Sequence, residues 1–197
     1  MIKAVLFDVD GVIANGEGWH VYLERDHGIT TEHLAPFFAE KFTPCLLGVA
    51  DLKDALASYL PQWGWQQSTD AFLDYWFTCE HVVDQPLIDY VQSLRQRGLP
   101  CYLATQQEKY RTRYIANEMG LARSFDGIFS SADLGYLKSE PDFFAAIMRH
   151  LPAIDTSEVL FWDDSARNVQ VARVSGLRAE LYTDFASFCH TMDTYKL

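Results

Sequence analysis

The chain has 197 residues, 49% of them hydrophobic, which is enough for a sizeable core and too much for a disordered or fibrous protein. Its 27 acidic residues outnumber its 16 basic ones, a formal charge of −11 that argues against a nucleic-acid partner, because a phosphate backbone selects a basic face. An anionic small molecule is not excluded, since a local cation inverts the field inside a site.

The first predicted element is the apolar run KAVLF (3–7), read as a strand covered on both faces. Asp8 interrupts it, so no secretory leader is expected, and no later run is long enough to span a membrane. A soluble cytoplasmic protein with no membrane partner is the expectation. Helical patterns follow at 18–27, 31–42, 51–60 and 69–80, with no convincing strand among them and turns such as PQWGW (61–65) between. A helix over 86–97 starts at Pro86, carries Leu87, Val91 and Leu94, and stops before Gly98. It leads into a second strand, PCYLA (100–104). The rhythm then becomes regular: helix 107–119, strand DGIFS (126–130), helix 141–151, strand EVLFW (158–162), helix 165–175 and strand RAELY (178–182). Cys45, Cys79, Cys101 and Cys189 form no CxxC pair, and the six histidines show no ligand spacing, so reduced thiols and no structural zinc are expected.

Strands alternating with helices of this length predict an α/β fold, a Rossmann-like parallel sheet core flanked by helices. Residues 1–16 and 86–197 would form that core. Residues 17–85 would form a small inserted α-helical cap, placed as a lid over the carboxyl edge of the sheet, where open α/β sheets bind ligands.

The polar residues fall at that edge. Asp8 and Asp10 follow the first strand, Thr105 the second and Asp163 with Asp164 the fourth, while Lys138 precedes the helix at 141. Several carboxylates together are unstable without a cation, and oxygen ligands fit Mg2+ held by one or two carboxylates plus a substrate phosphate. Lys138 adds a positive charge and Thr105 a hydroxyl donor, so the expected ligand carries a phosphate group. An aspartate can attack phosphorus, and a second carboxylate two residues on can protonate the leaving alcohol and then activate water.

FDVDGV (7–12), LAT ending at Thr105, LKSEPDFF with Lys138, and FWDDSARNV with Asp163, Asp164 and Asn168 together resemble the four ordered motifs of the haloacid dehalogenase-like hydrolase superfamily. The helical insert resembles that family's small cap class. The double aspartate followed by SARNV is similar to the branch of sugar-phosphate phosphatases and epoxide-hydrolase-associated phosphatase domains. The resemblance implies Asp8 as nucleophile and Asp10 as acid/base, with Lys138 as the third catalytic residue. It implies a metal held by Asp8, the backbone carbonyl of Asp10, and Asp163. Asp164 and Asn168 would be supporting residues, and Thr105 and Gln106 would contact substrate. Gln106 stands where the branch usually has Asn, Ser139 replaces a common proline, and Trp162 is bulkier than the usual residue before the aspartate pair.

The implied function is a Mg2+-dependent phosphatase acting on a small phosphorylated metabolite through an aspartyl-phosphate. A phosphomutase or dehalogenase of the same fold, or a non-enzymatic phospho-receiver domain, are the alternatives. A dehalogenase needs no leaving-group acid and a receiver no insert. Plainer roles compete at single residues: Thr105 or Asp164 as helix N-caps, and Trp63, Trp65 and Trp76 as cap core. Glu17, Trp19 and His20, where the chain enters the cap, are the specificity candidates.

Overall fold

A computed structural model describes residues 1–196. Five strands, β1 (Ala4–Phe7), β2 (Cys101–Thr105), β3 (Gly127–Ser130), β4 (Val159–Asp163) and β5 (Arg178–Leu181), form one sheet in the order β3-β2-β1-β4-β5. Every pairing is parallel, so each connection must cross over through a helix. The sequence places β1 at the centre: its four residues are all fully buried, as a strand covered on both faces requires. The order reverses beside β1, with β2 and β3 on one side and β4 and β5 on the other, which is the switch point where such sheets take ligands.

Alternation along the strands sorts the core into two layers. On one face Val5, Phe7, Leu103 and Trp162 pack against α6 (Gln85–Gln96), α7 (Lys109–Asn117), the short α8 (Leu121–Ser124) and α12 (Phe185–Met192). On the other Ala4, Leu6, Ala104 and Phe161 pack against α10 (Pro141–His150) and α11 (Ala166–Val174). Pro86 near the start of α6 and Pro141 at the start of α10 sit where a missing N–H costs nothing.

Helices α1 (Trp19–His27), α2 (Thr31–Glu40), α3 (Phe42–Leu46), α4 (Leu52–Ala57) and α5 (Thr69–Cys79) lie between β1 and α6. They share an aromatic cluster of their own, in which Phe72 lies edge-on to Trp19 and Trp65, and Trp19 stacks on Trp76 at 4.4 Å. The pattern read as one helix over 31–42 breaks at Lys41 into α2 and α3. The helix expected to reach residue 60 ends at Ala57 and continues as turns.

The insert touches the core at three places, one of them α3 and the following Gly48 against the short helix α9 (Ser131–Leu134), where Gly48 meets the Ala132 carbonyl. The insert's entry and exit chains pair: Ala14 bridges Val83, and the Asp84 and Asn15 N–H groups donate to Ile13 O and Val82 O at 2.8 and 3.0 Å. Helix α7 forms the third contact. Lys109 Nζ and the Tyr110 hydroxyl both reach Asp51, which caps α4, and the buried Arg111 donates to Phe77 O at 3.0 Å. Among the described residues no helix is long and apolar enough to cross a membrane.

Phe188 on α12 stands over the end of β1 and β4, against the rings of Phe7 and Trp162, and is fully buried. Phe188→Ala should lower unfolding stability by about 3–5 kcal/mol, read from the urea midpoint. A change within about 0.5 kcal/mol, the range of an uninvolved surface position, would contradict this packing.

Candidate active site

The sheet register brings the predicted residues together. Phe7 pairs with Trp162 and Leu103, so Asp8, Thr105 and Asp163 end adjacent strands at one edge. Lys138 reaches them from the turn before α10, its Nζ 2.5 Å from Asp8 Oδ2 and 2.7 Å from Asp163 Oδ2. All three side chains are buried. Burial pushes the Asp8 carboxyl up to about 8; Lys138 opposes that shift and Asp163 adds to it. Burial pulls on the Lys138 ammonium too, yet the two carboxylates hold it above its ordinary value.

Asp163 is saturated. Besides Lys138 it accepts from the Ser165 N–H at 2.8 Å and from Asn168 Nδ2 at 3.0 Å. Asp164, the next residue, lines an open cavity of about 460 Å³ together with Asp8, Asp10, Thr105, Gln106, Lys138 and Asn168. Burial and then the neighbouring Asp163 raise its carboxyl. Oxygens of Asp8, Asp163 and Asp164 all lie within 4.8 Å of one another. At that spacing two ionised carboxylates repel by about 3 kcal/mol at an effective dielectric of ~20. With all three carboxylates ionised, the one ammonium would leave two negative charges uncompensated.

Gly11 makes the crowding possible. Its φ is +75°, and a Cβ there would meet Asp164 Oδ2 at 2.2 Å. The Asp-Gly of FDVDGV thus serves two ends, turning the chain out of β1 and leaving room for a carboxylate from the β4 edge. The oxygen donor set, the excess charge and this cradle fit a hard divalent cation.

Thr105 is fully buried and its Oγ1 has no hydrogen-bond partner, an orphan at the cavity wall. It does not cap the following helix, as one sequence reading allowed; Glu108 does, accepting from the Tyr110 and Arg111 N–H groups. Asp164 does not act as the N-cap of α11, since Ser165 holds that position without a side-chain bond. Gln106 Oε1 accepts from the Lys138 backbone N–H at 3.1 Å, fixing the turn that carries the lysine.

Asp10 is half exposed and lines the cavity. Its Oδ2 accepts from the Gln107 amide, and its Oδ1 lies 3.6 Å from Arg111 NH2. That nitrogen is also 3.5 Å from Glu80, at the end of α5. Burial and the nearby Asp10 push the Glu80 carboxyl up to about 7 against the pull of Arg111. Sequence reasoning gave Gln107, Arg111 and Glu80 no role, because QEKYR carries no recognisable spacing and its charge partners are remote in sequence. It also passed over Arg167, an exposed cation at the cavity rim. The specificity candidates are not brought to the cavity. Trp19 is buried in the insert's own core, Glu17 and His20 are exposed, and among the described residues none from 17–85 lines the cavity wall.

Three comparisons bear on this arrangement. The chloroplastic protein SUPPRESSOR OF QUENCHING 1 of Arabidopsis thaliana is 27% identical over 185 residues, covering 90% of this chain, which spans only 17% of that protein. The sesquiterpene phosphatase astK of Aspergillus oryzae is 30% identical over 111 residues, 54% of each chain. The chain thus spans about half of one of these relatives and less than a fifth of the other. The had family enzyme bt-2542 of Bacteroides thetaiotaomicron, solved with magnesium and inorganic phosphate, superposes with a TM-score of 0.79 at 20% identity, over 95% of this chain and 99% of that one. The haloacid dehalogenase-like hydrolase family model matches residues 2–176, nearly the whole sheet with its insert, and the chain belongs to that family of hydrolases.

Proposed function

We propose that this hydrolase is a Mg2+-dependent phosphatase of small phosphorylated metabolites, with residues 17–85 as its cap. The observation that carries the reading is Asp10, a second carboxylate at the same cavity as Asp8, Lys138 and the orphan Thr105 hydroxyl. A dehalogenase, attacking carbon, has no use for an acid at that position. The solved relative holding magnesium and phosphate and the phosphatase among the curated relatives support the same choice.

The residue roles follow from position. Asp8 is held by its neighbour's N–H, Val9 N to Oδ1 at 2.7 Å, and by Lys138 at Oδ2. That leaves a carboxylate of restricted orientation to attack phosphorus as the bond to the leaving oxygen breaks. Asp10 donates its proton to that oxygen, then takes one from the water that attacks the aspartyl-phosphate, so that inorganic phosphate leaves and Asp8 is restored. Lys138 and the Thr105 hydroxyl stabilise the phosphoryl oxygens. Asp8, the Asp10 carbonyl and an aspartate of the 163–164 pair would hold Mg2+, which when bound neutralises the carboxylates and the transferring group. Of that pair Asp164 is the better placed, since Asp163 is already engaged by Lys138, Ser165 and Asn168. The half-exposed Asp10 and a cavity wall free of insert residues favour hydrolysis over mutase chemistry, which must exclude water.

Phosphate release from a panel of phosphate monoesters should require Mg2+, and Asp8→Asn should lower it by at least ~10³-fold. Release that is indifferent to Mg2+, or an Asp8→Asn variant as active as the parent, would overturn the reading. Lys138 is a poorer probe, since emptying its place strands two buried carboxylates at a cost of about 3–5 kcal/mol in folding. Gly11→Ala is cleaner. It should displace Asp164, raise the Mg2+ concentration needed for half-maximal rate, and reduce kcat by ~10²-fold, the cost of a displacement of roughly 1 Å.

A further inference from the structure

Arg111 is the one described arginine that is fully buried, and nothing in the phosphoryl chemistry above uses it. It lies on the core helix α7 and faces three acceptors. Its NH1 donates to Phe77 O of the insert, and its NH2 lies between Glu80 of the insert and Asp10 of the core, at 3.5 and 3.6 Å. The guanidinium is packed against the rings of Phe77 and Tyr114. Neither its Nε nor its NH2 completes a hydrogen bond. A salt bridge built only to staple insert to core would close on Glu80 alone; this one is shared with the half-exposed carboxylate that lines the cavity. Gln107, also buried, grips the other oxygen of Asp10, and its own backbone carbonyl is tied down by Ser131 Oγ and the Ala132 N–H. Asp10 therefore accepts a hydrogen bond from Gln107 at one oxygen and faces the Arg111 guanidinium with the other, both from the β2–α7 segment and the second braced by the insert.

We propose that Gln107 and Arg111 are positioning residues for Asp10, setting its carboxyl on the leaving-group side of the cavity, and that Glu80 couples this setting to the docking of the insert. The inference rests on the phosphatase reading, with Asp10 as the acid.

A leaving-group comparison tests it. Nitrophenolate departs from p-nitrophenyl phosphate without a proton, whereas phenolate from phenyl phosphate, with a conjugate acid near pKa ~10, benefits from one. In Gln107→Met and Arg111→Lys, kcat/KM with Mg2+ should fall ~10-fold or more for phenyl phosphate and less than ~3-fold for p-nitrophenyl phosphate, a part of the 10²–10⁴-fold that a positioned acid supplies. Asp10→Asn sets the full size of that split. Gln107→Met keeps volume and backbone contacts, so it reports even if Arg111 variants fold poorly. Equal losses on both esters, or a Gln107→Met variant as fast as the parent on phenyl phosphate, would overturn the positioning role. No turnover of either ester by the parent would instead overturn the phosphatase reading beneath it.

Discussion

One ammonium shared between two carboxylates organises the molecule. Lys138 enters a buried position between Asp8 and Asp163, which end neighbouring strands at the centre of the sheet. Without the lysine two buried carboxylates face each other unpaired, so the β1 edge, the β4 edge and the turn before α10 must be present together. Surrounding polar contacts serve this trio. Gln106 fixes the lysine's backbone, while Asn168 and the Ser165 N–H occupy the remaining faces of Asp163. The trio is also incomplete. Asp164 adds a carboxylate that Lys138 does not reach, Gly11 leaves room for it, and Thr105 offers a hydroxyl with no partner. Charge and geometry together describe a site whose inner half is built by protein and whose outer half is left for a cation and an anion.

The adjacent aspartates at the end of β4 have different partners. Asp163 is buried and engaged by Lys138; Asp164, just past the strand, lines the cavity. In the same way Asp8 ends the strand, rigid and buried, while Asp10 lies one step into the loop leading to the insert and stays half exposed. A nucleophile gains from fixed orientation, and a proton donor that later serves water gains from access. Under the proposed mechanism, the spacing of two residues in FDVDGV would deliver both.

Much of this was legible in the sequence, for physical reasons particular to each element. The central strands β1 and β4 were readable because parallel strands buried on both faces are runs of apolar residues, and the edge strands β3 and β5 because they fall in the regular alternation with helices. The sheet-edge placement of Asp8, Thr105, Lys138 and Asp163 followed from the strand boundaries alone. What was not legible depended on tertiary contact. Arg111 and Gln107 meet Asp10 across about a hundred residues, and Glu80 joins them from the insert. Trp19 was placed at the cavity because it follows the first motif, yet a large indole is drawn into the insert's aromatic cluster, where Trp76 and Phe72 cover it. Helix α12 shows a different failure. Phe185, Phe188, Cys189 and Met192 have helical spacing, but eight residues near the end of the chain give a weak periodic signal.

The central claim is that Asp8 carries the phosphoryl group between substrate and water. It is tested most directly by mixing the enzyme with Mg2+ and a 32P-labelled phosphate monoester, quenching in acid within a turnover, and mapping the labelled peptide. The account predicts label on the peptide containing Asp8, absent in Asp8→Asn and lost on treatment with hydroxylamine. Steady phosphate release with no protein-bound label at any quench time, or label on a residue other than Asp8, would contradict it.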